Sequence, residues 1–242
     1  MLWHFFFESL AYIVAFRLYV SQRQKGGDFL ETPTRWNVIV AAVAGAAIGS
    51  KLLYLCEDPI RTVHQWSNLT YMLGGKTIVG GLLGGTLAVE LVKWRTGIRR
   101  RTGDLFAVPL VLGIAIGRIG CLLAGKQDDT YGNPTSLPWG IDLGDGIRRH
   151  PVQLYEMVAM LILAMVLTRI HPPRFAEGDR FRIFVLAYFS WRFLVDFLKP
   201  GVHFASLTML QWACAATVLW YSRDLWRIVS ESFKPKEALV HG

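Results

Sequence analysis

Residues 105–124 read LFAVPLVLGIAIGRIGCLLA, twenty positions with one charge, Arg118, in an otherwise apolar run. A helix rises about 1.5 Å per residue, so roughly 20 such residues cross a hydrocarbon core about 30 Å thick. The stretch therefore reads as a membrane span. Working outward on the same rule, further spans fall near 3–20, 37–56, 77–92, 152–170, 181–198 and 205–221. The predicted fold class is all-α, a polytopic membrane protein of about seven transmembrane helices.

Composition agrees with lipid as the solvent. Of 242 residues 52% are apolar and 18% charged, against about 25% charged in an ordinary soluble domain. Three cysteines, Cys56, Cys121 and Cys214, are too few and odd in number for a disulfide framework. No linker, repeat or low-complexity run divides the chain, so residues 1–242 are expected to form a single membrane-embedded domain. The first span contains Glu8 and follows no basic segment, so it is expected to be retained rather than cleaved.

Cytoplasmic loops accumulate Lys and Arg. One side of the proposed bundle holds 17 of the 26, among them Arg95, Arg99, Arg100, Arg101, Arg180, Arg223 and Arg227; the other holds six, Arg61, Lys76, Lys126, Arg148, Arg149 and Lys199. That asymmetry predicts an outer N-terminus and an inner C-terminus. The net charge of +8 is spread over every cytoplasmic loop, which argues against nucleic acid as a partner. The longest connection, 125–151, falls on the outer side and is rich in turn formers such as Asn133, Pro134, Gly140 and Gly144.

Charges inside a bilayer are costly and mark function. The candidates are Glu8, Lys51, Arg118, Arg192 and Asp196, with Glu90 nearer a helix end. Tyr188, Arg192, Asp196 and Lys199 are spaced four, four and three, which puts them on one helical face. Such a stripe must look into the bundle, because lipid offers no hydrogen-bond partner. Arg118 stands in Gly117-Arg118-Ile119-Gly120, where flanking glycines permit close approach. Two permanently charged planar forks suit a phosphate group, here that of an outer-leaflet lipid. His4 and Glu8, at i and i+4, suit a proton relay; as a metal site they find no third ligand at sequence spacing. Gly80/Gly84 and Gly81/Gly85 are overlapping GxxxG patterns, which serve helix packing or close approach to a lipid head group.

The runs Gly80-Gly81-Leu82-Leu83-Gly84-Gly85, Gly117-Arg118-Ile119-Gly120, Gly132 through Gly140, and Arg149-His150-Pro151-Val152-Gln153-Leu154-Tyr155-Glu156 occur in an order that resembles the prolipoprotein diacylglyceryl transferase family. Gly49-Ser50-Lys51-Leu52 and Tyr188 through Arg192 extend the likeness over most of the chain. The resemblance implies transfer of the diacylglyceryl group of phosphatidylglycerol to the Cys thiol of a prolipoprotein lipobox, at the periplasmic face of the bacterial inner membrane, without a cofactor or metal. It implies Arg118, Arg192 and Tyr188 as catalytic residues. Lys51, Gly80, Gly81, Cys121, Lys126, Gln153, Tyr155 and Asp196 are expected to line the substrate site.

Three positions depart from the family pattern. Val79 stands where the family has His or Tyr, Cys121 replaces the signature Asn, and Lys126 replaces an acidic residue. The phosphate-binding half is retained and the proton-handling half altered, so Glu8 or His150 is expected to take the proton. Two other readings follow: a paralogue with a different, non-thiol acceptor, and a catalytically silent lipid-binding membrane protein.

Overall fold

The computed structural model describes residues 2–26, 28, 30–170 and 175–232. They are mostly helical. In chain order the helices are α1 (Leu2–Gly26), α2 (Thr32–Glu57), α3 (Pro59–His64), α4 (Leu69–Leu73), α5 (Ile78–Thr96), α6 (Asp104–Ala124), α7 (Val152–Thr168), α8 (Asp179–Val195), α9 (Met209–Trp220) and α10 (Ser222–Ser232). Two antiparallel hairpins join them, β1 (Ile141–Asp142) with β2 (Arg148–Arg149), and β3 (His203–Phe204) with β4 (Leu207–Thr208). Each of the seven apolar runs is helical for most of its length. By length and apolarity alone, α2 and α6 suffice to cross a bilayer.

The last run is shorter than its sequence suggests. Residues 203–208 form the β3–β4 hairpin, turning through Ala205 and Ser206 at φ of 50° and 71°, and α9 begins only at Met209. Its 12 residues reach about 18 Å at 1.5 Å per residue.

The chain forms two compact units. One comprises α1, the segment Arg101–Pro200 and the segment from Ala216; the other comprises Asp28–Arg100 and Gly201–Ala215. In the second unit α2 packs on α5 through glycines. A Cβ at Gly45 would lie 2.4 Å from the Gly84 carbonyl oxygen, and one at Gly49 would lie 2.4 Å from that of Gly80. Seen from α5, the same construction at Gly84 meets the Gly45 carbonyl oxygen at 2.2 Å. Backbone touches backbone here, which only glycine allows. Thr77 caps the start of α5, its Oγ1 accepting from the Gly80 amide at 3.1 Å.

Gly84→Val should therefore break the α2–α5 contact, costing several kcal/mol by the usual scale of overpacking. Gly81→Ala, where a Cβ finds its nearest neighbour at 3.6 Å, should leave the melting temperature within a few degrees of the parent. Thermal unfolding of the two purified variants in detergent checks both.

In the first unit α1 lies along α6. Tyr19 stacks on Phe106, with ring centroids 4.9 Å apart and 11° between planes, and Gly120 admits the α1 backbone, a Cβ there standing 3.3 Å from His4 Cα. Helices α7 and α8 pack on α6 and on each other. The start of α8 is fixed by Asp104, whose carboxylate accepts from the amides of Gly178 at 2.7 Å and Phe181 at 2.9 Å.

Both units are inverted relative to a soluble protein. Val40, Val43, Ile48 and Leu52 of α2, and Val158, Leu161, Ile162 and Met165 of α7, face outward, while Arg35, Arg118, Glu156, Asp179 and Arg192 are buried. Continuous exposed apolar surface around a charged interior is compatible with a membrane protein.

Candidate functional site

Glu156 lies in the second turn of α7 and is 2% exposed. A buried carboxylate requires partners, and three side chains from two other helices converge on it. From α6, Arg118 reaches it with Nη2 at 2.9 Å from Oε2 and 3.1 Å from Oε1. Arg192 of α8 donates from Nη1 to Oε2 at 3.1 Å. One turn earlier on α8, Tyr188 donates its hydroxyl to Oε1 at 3.2 Å. Below Arg192 the helix tightens into a 3-10 turn over Asp196–Leu198, which carries Asp196 Oδ1 to 3.5 Å from Arg192 Nη2.

Lys199 follows that turn and is electrostatically coupled to Arg118, Arg192, Asp196 and Glu156. Two guanidinium groups thus face two carboxylates. The Arg118 Nε hydrogen is buried without a hydrogen-bond partner. A site with two planar donor forks and a spare donor can receive an anion.

The four-four spacing on α8 thus delivers Tyr188, Arg192 and Asp196 to Arg118, as that spacing requires. Reading the sequence for charges inside spans passed over Glu156, the residue that joins them. Its signal was present, a carboxylate four residues into the apolar run 152–170.

Cys121 adjoins this cluster, its Sγ 3.7 Å from Arg118 Nη1. Gln153, 1% exposed, donates to Thr130 Oγ1 at 3.4 Å, and Thr130 donates to Asp128 Oδ2 at 2.6 Å. Glu8 accepts from the Tyr12 hydroxyl at 3.1 Å and lies 3.5 Å from His4 Nε2. The other nitrogen of His4, Nδ1, stands 2.7 Å from Asp128 Oδ1.

His150 and Tyr155 form a separate group at the start of α7. His150 Nδ1 is 3.4 Å from the Tyr155 hydroxyl, which also accepts from Trp139 Nε1 at 2.7 Å. Asn133 fastens the loop by donating its amide to the Leu198 carbonyl at 2.7 Å and accepting from the His150 amide at 3.0 Å. Farther along the loop Lys126 pairs with Asp145 at 3.0 Å, and Arg149 pairs with the same carboxylate at 2.7 Å. Hydrogen bonds from Arg149 and then Lys126 hold the Asp145 carboxyl well below its ordinary range.

Lys51, Gly80 and Gly81 belong to the other unit and make their contacts within it. Lys51 Nζ donates to the carbonyl oxygens of Gly74 and Gly75, the latter at 2.9 Å. Gly80 is buried against the backbone of Gly49, so its lack of a side chain serves helix packing. Val79, the second residue of α5, is 1% exposed.

Against known proteins, residues 3–223 match a family model described as prolipoprotein diacylglyceryl transferase. The phosphatidylglycerol–prolipoprotein diacylglyceryl transferase of Methylococcus capsulatus is 32% identical over 219 residues, covering 81% of this chain and 79% of that protein. Proteins of the same name from Oleidesulfovibrio alaskensis and Bordetella parapertussis are 31% and 30% identical, covering 90% and 76% of this chain and 85% and 73% of theirs.

Proposed function

We propose, since this chain belongs to the prolipoprotein diacylglyceryl transferase family, that it moves the diacylglyceryl group of phosphatidylglycerol to the Cys thiol of a prolipoprotein. The observation that carries this reading is the buried convergence of Arg118, Arg192 and Tyr188 on Glu156.

In the reaction the acceptor sulfur attacks the glycerol carbon that bears the phosphate. A carbon–sulfur bond forms, the carbon–oxygen bond breaks, and glycerol phosphate departs with the electron pair. The departing monoester gains negative charge, and preorganised donors stabilise charge where it develops. Arg118 and Arg192 supply those donors, sharing themselves between Glu156 and the phosphate, while Tyr188 holds the Glu156 carboxylate in place. Asp196 positions the Arg192 fork. The thiol proton leaves to Glu8 or His150, because Val79 has no acceptor atom. Cys121, Lys126, Gln153 and Tyr155 frame the site.

On this reading the chain acts as one membrane-embedded domain of seven spans in the bacterial inner membrane. Its N-terminus and the loop 125–151 face the periplasm and its C-terminus the cytoplasm. The excess of basic residues in the 93–104 loop supports that orientation, and the outward apolar faces of α2 and α7 support burial in lipid.

Two experiments test the reading. Purified protein incubated with phosphatidylglycerol and a synthetic lipobox peptide should yield a peptide heavier by one diacylglyceryl group in the mass spectrum. Transfer to another molecule would replace the acceptor, and no transfer at all would leave a lipid-binding protein. In intact cells, a thiol reagent that cannot cross the membrane should label a cysteine at Asp129 and spare one at Arg100; the opposite pattern inverts the topology.

A further inference from the structure

His4 on α1, Cys121 on α6 and Asp128 in the short 3-10 turn after α6 are far apart in sequence, yet their ligand atoms all lie within 4.8 Å of one another. Imidazole, thiol and carboxylate together form a donor set for a borderline-soft divalent ion, which prefers tetrahedral ligation by N, S and O atoms at about 2.0 to 2.3 Å.

The surroundings of His4 and Asp128 suit ligation, and Cys121 also takes a hydrogen bond from Arg118. His4 Nδ1 is buried and makes no hydrogen bond, although Asp128 Oδ1 is 2.7 Å away. It lies within 4.8 Å of both the Cys121 sulfur and the Asp128 carboxylate. The opposite ring nitrogen, Nε2, faces Glu8 Oε2 at 3.5 Å, and Glu8 is itself held by the Tyr12 hydroxyl. A carboxylate on the far nitrogen is the usual means of fixing the tautomer and plane of a metal-bound histidine. Asp128 is oriented in the same way, its Oδ2 accepting from Thr130 and leaving Oδ1 toward His4.

Charge also balances. A thiolate and one carboxylate neutralise a divalent ion, and the adjacent guanidinium of Arg118 is already matched by Glu156. Gly120 makes the arrangement possible, since a side chain there would push α1 and His4 away from Cys121.

We propose that His4 Nδ1, Cys121 Sγ and Asp128 Oδ1 bind one zinc-type divalent ion, with Glu8 as the positioning residue behind His4 and the fourth position left to water. The site shares Cys121 and Glu8 with the transferase reading, but its test does not depend on turnover. Tag-free protein in detergent, stripped with a chelator, is titrated with cobalt. One equivalent should bind with a thiolate-to-cobalt charge-transfer band, zinc should displace it, and magnesium should not. Cys121→Ser, which retains Cys56 and Cys214, should lose the band. Asp128→Asn should weaken binding, and Glu8→Gln should weaken it by about 10- to 100-fold, the usual effect of removing such a partner. No charge-transfer band in the parent protein, or the same band in Cys121→Ser, overturns the proposal.

Discussion

Glu156→Leu is expected to destabilise the protein by about 3–5 kcal/mol, the cost of breaking a buried ion pair by removing one partner. The reason is local. Arg118 and Arg192 would be left face to face in the interior with their common carboxylate gone, and the Tyr188 hydroxyl would lose its acceptor. Against a total stability on the order of 5–15 kcal/mol, a loss of that size should reduce the yield of folded protein and lower the melting temperature in detergent sharply. Glu156→Gln keeps the shape and one acceptor oxygen but removes the charge, so it should fall between the parent and the leucine variant. Parent-like melting of Glu156→Leu would mean that the arginines find other partners and that the carboxylate does not organise the site.

The second large effect is on rate. Arg118→Lys and Arg192→Lys each keep a positive charge and lose the planar fork that spans two oxygens. A hydrogen bond to a charged group contributes about 1.5–3 kcal/mol, and each 1.36 kcal/mol is tenfold in rate. Either substitution should therefore slow phosphatidylglycerol-dependent transfer by roughly ten- to a hundredfold while the protein still inserts and purifies. Initial rates measured against a lipobox peptide decide the matter. Unchanged rates in both variants would give the arginines a structural role only.

How much of this was legible in the sequence depends on the distance over which each signal acts. Apolar runs are local, so each of the seven read from the sequence is helical for most of its length, and the spacing of Tyr188, Arg192 and Asp196 puts them on one helical face. The start of α9 was misplaced because the turn preceding it uses Ala205 and Ser206 in the left-handed region, residues that carry no glycine or asparagine signature. Glu156 was hidden for a different reason. Its partners come from α6 and α8, and nothing in its own helix announces them. Cys121 and Asp128 as companions of His4 were out of reach entirely, because that grouping exists only once α1 lies along α6. The glycines of α5 gave the packing motif but not its partner; the Gly45 and Gly49 ridge of α2 emerged from the structure.

The pairing of α1 with α6 also has a consequence in time. These helices are joined through Tyr19 and Phe106, and through His4 and Gly120, so α1 waits for the better part of a hundred intervening residues before its partner exists. At about 5–20 residues per second, that wait lasts roughly 5–20 s. Helices α2 and α5, which pack through their glycines, are both complete before α6 is made. During the same period His4 and Glu8 lack the cover that α6 gives them in the finished protein. The emergence of α6 ends that exposure, because it brings Phe106 to Tyr19 and Gly120 to His4.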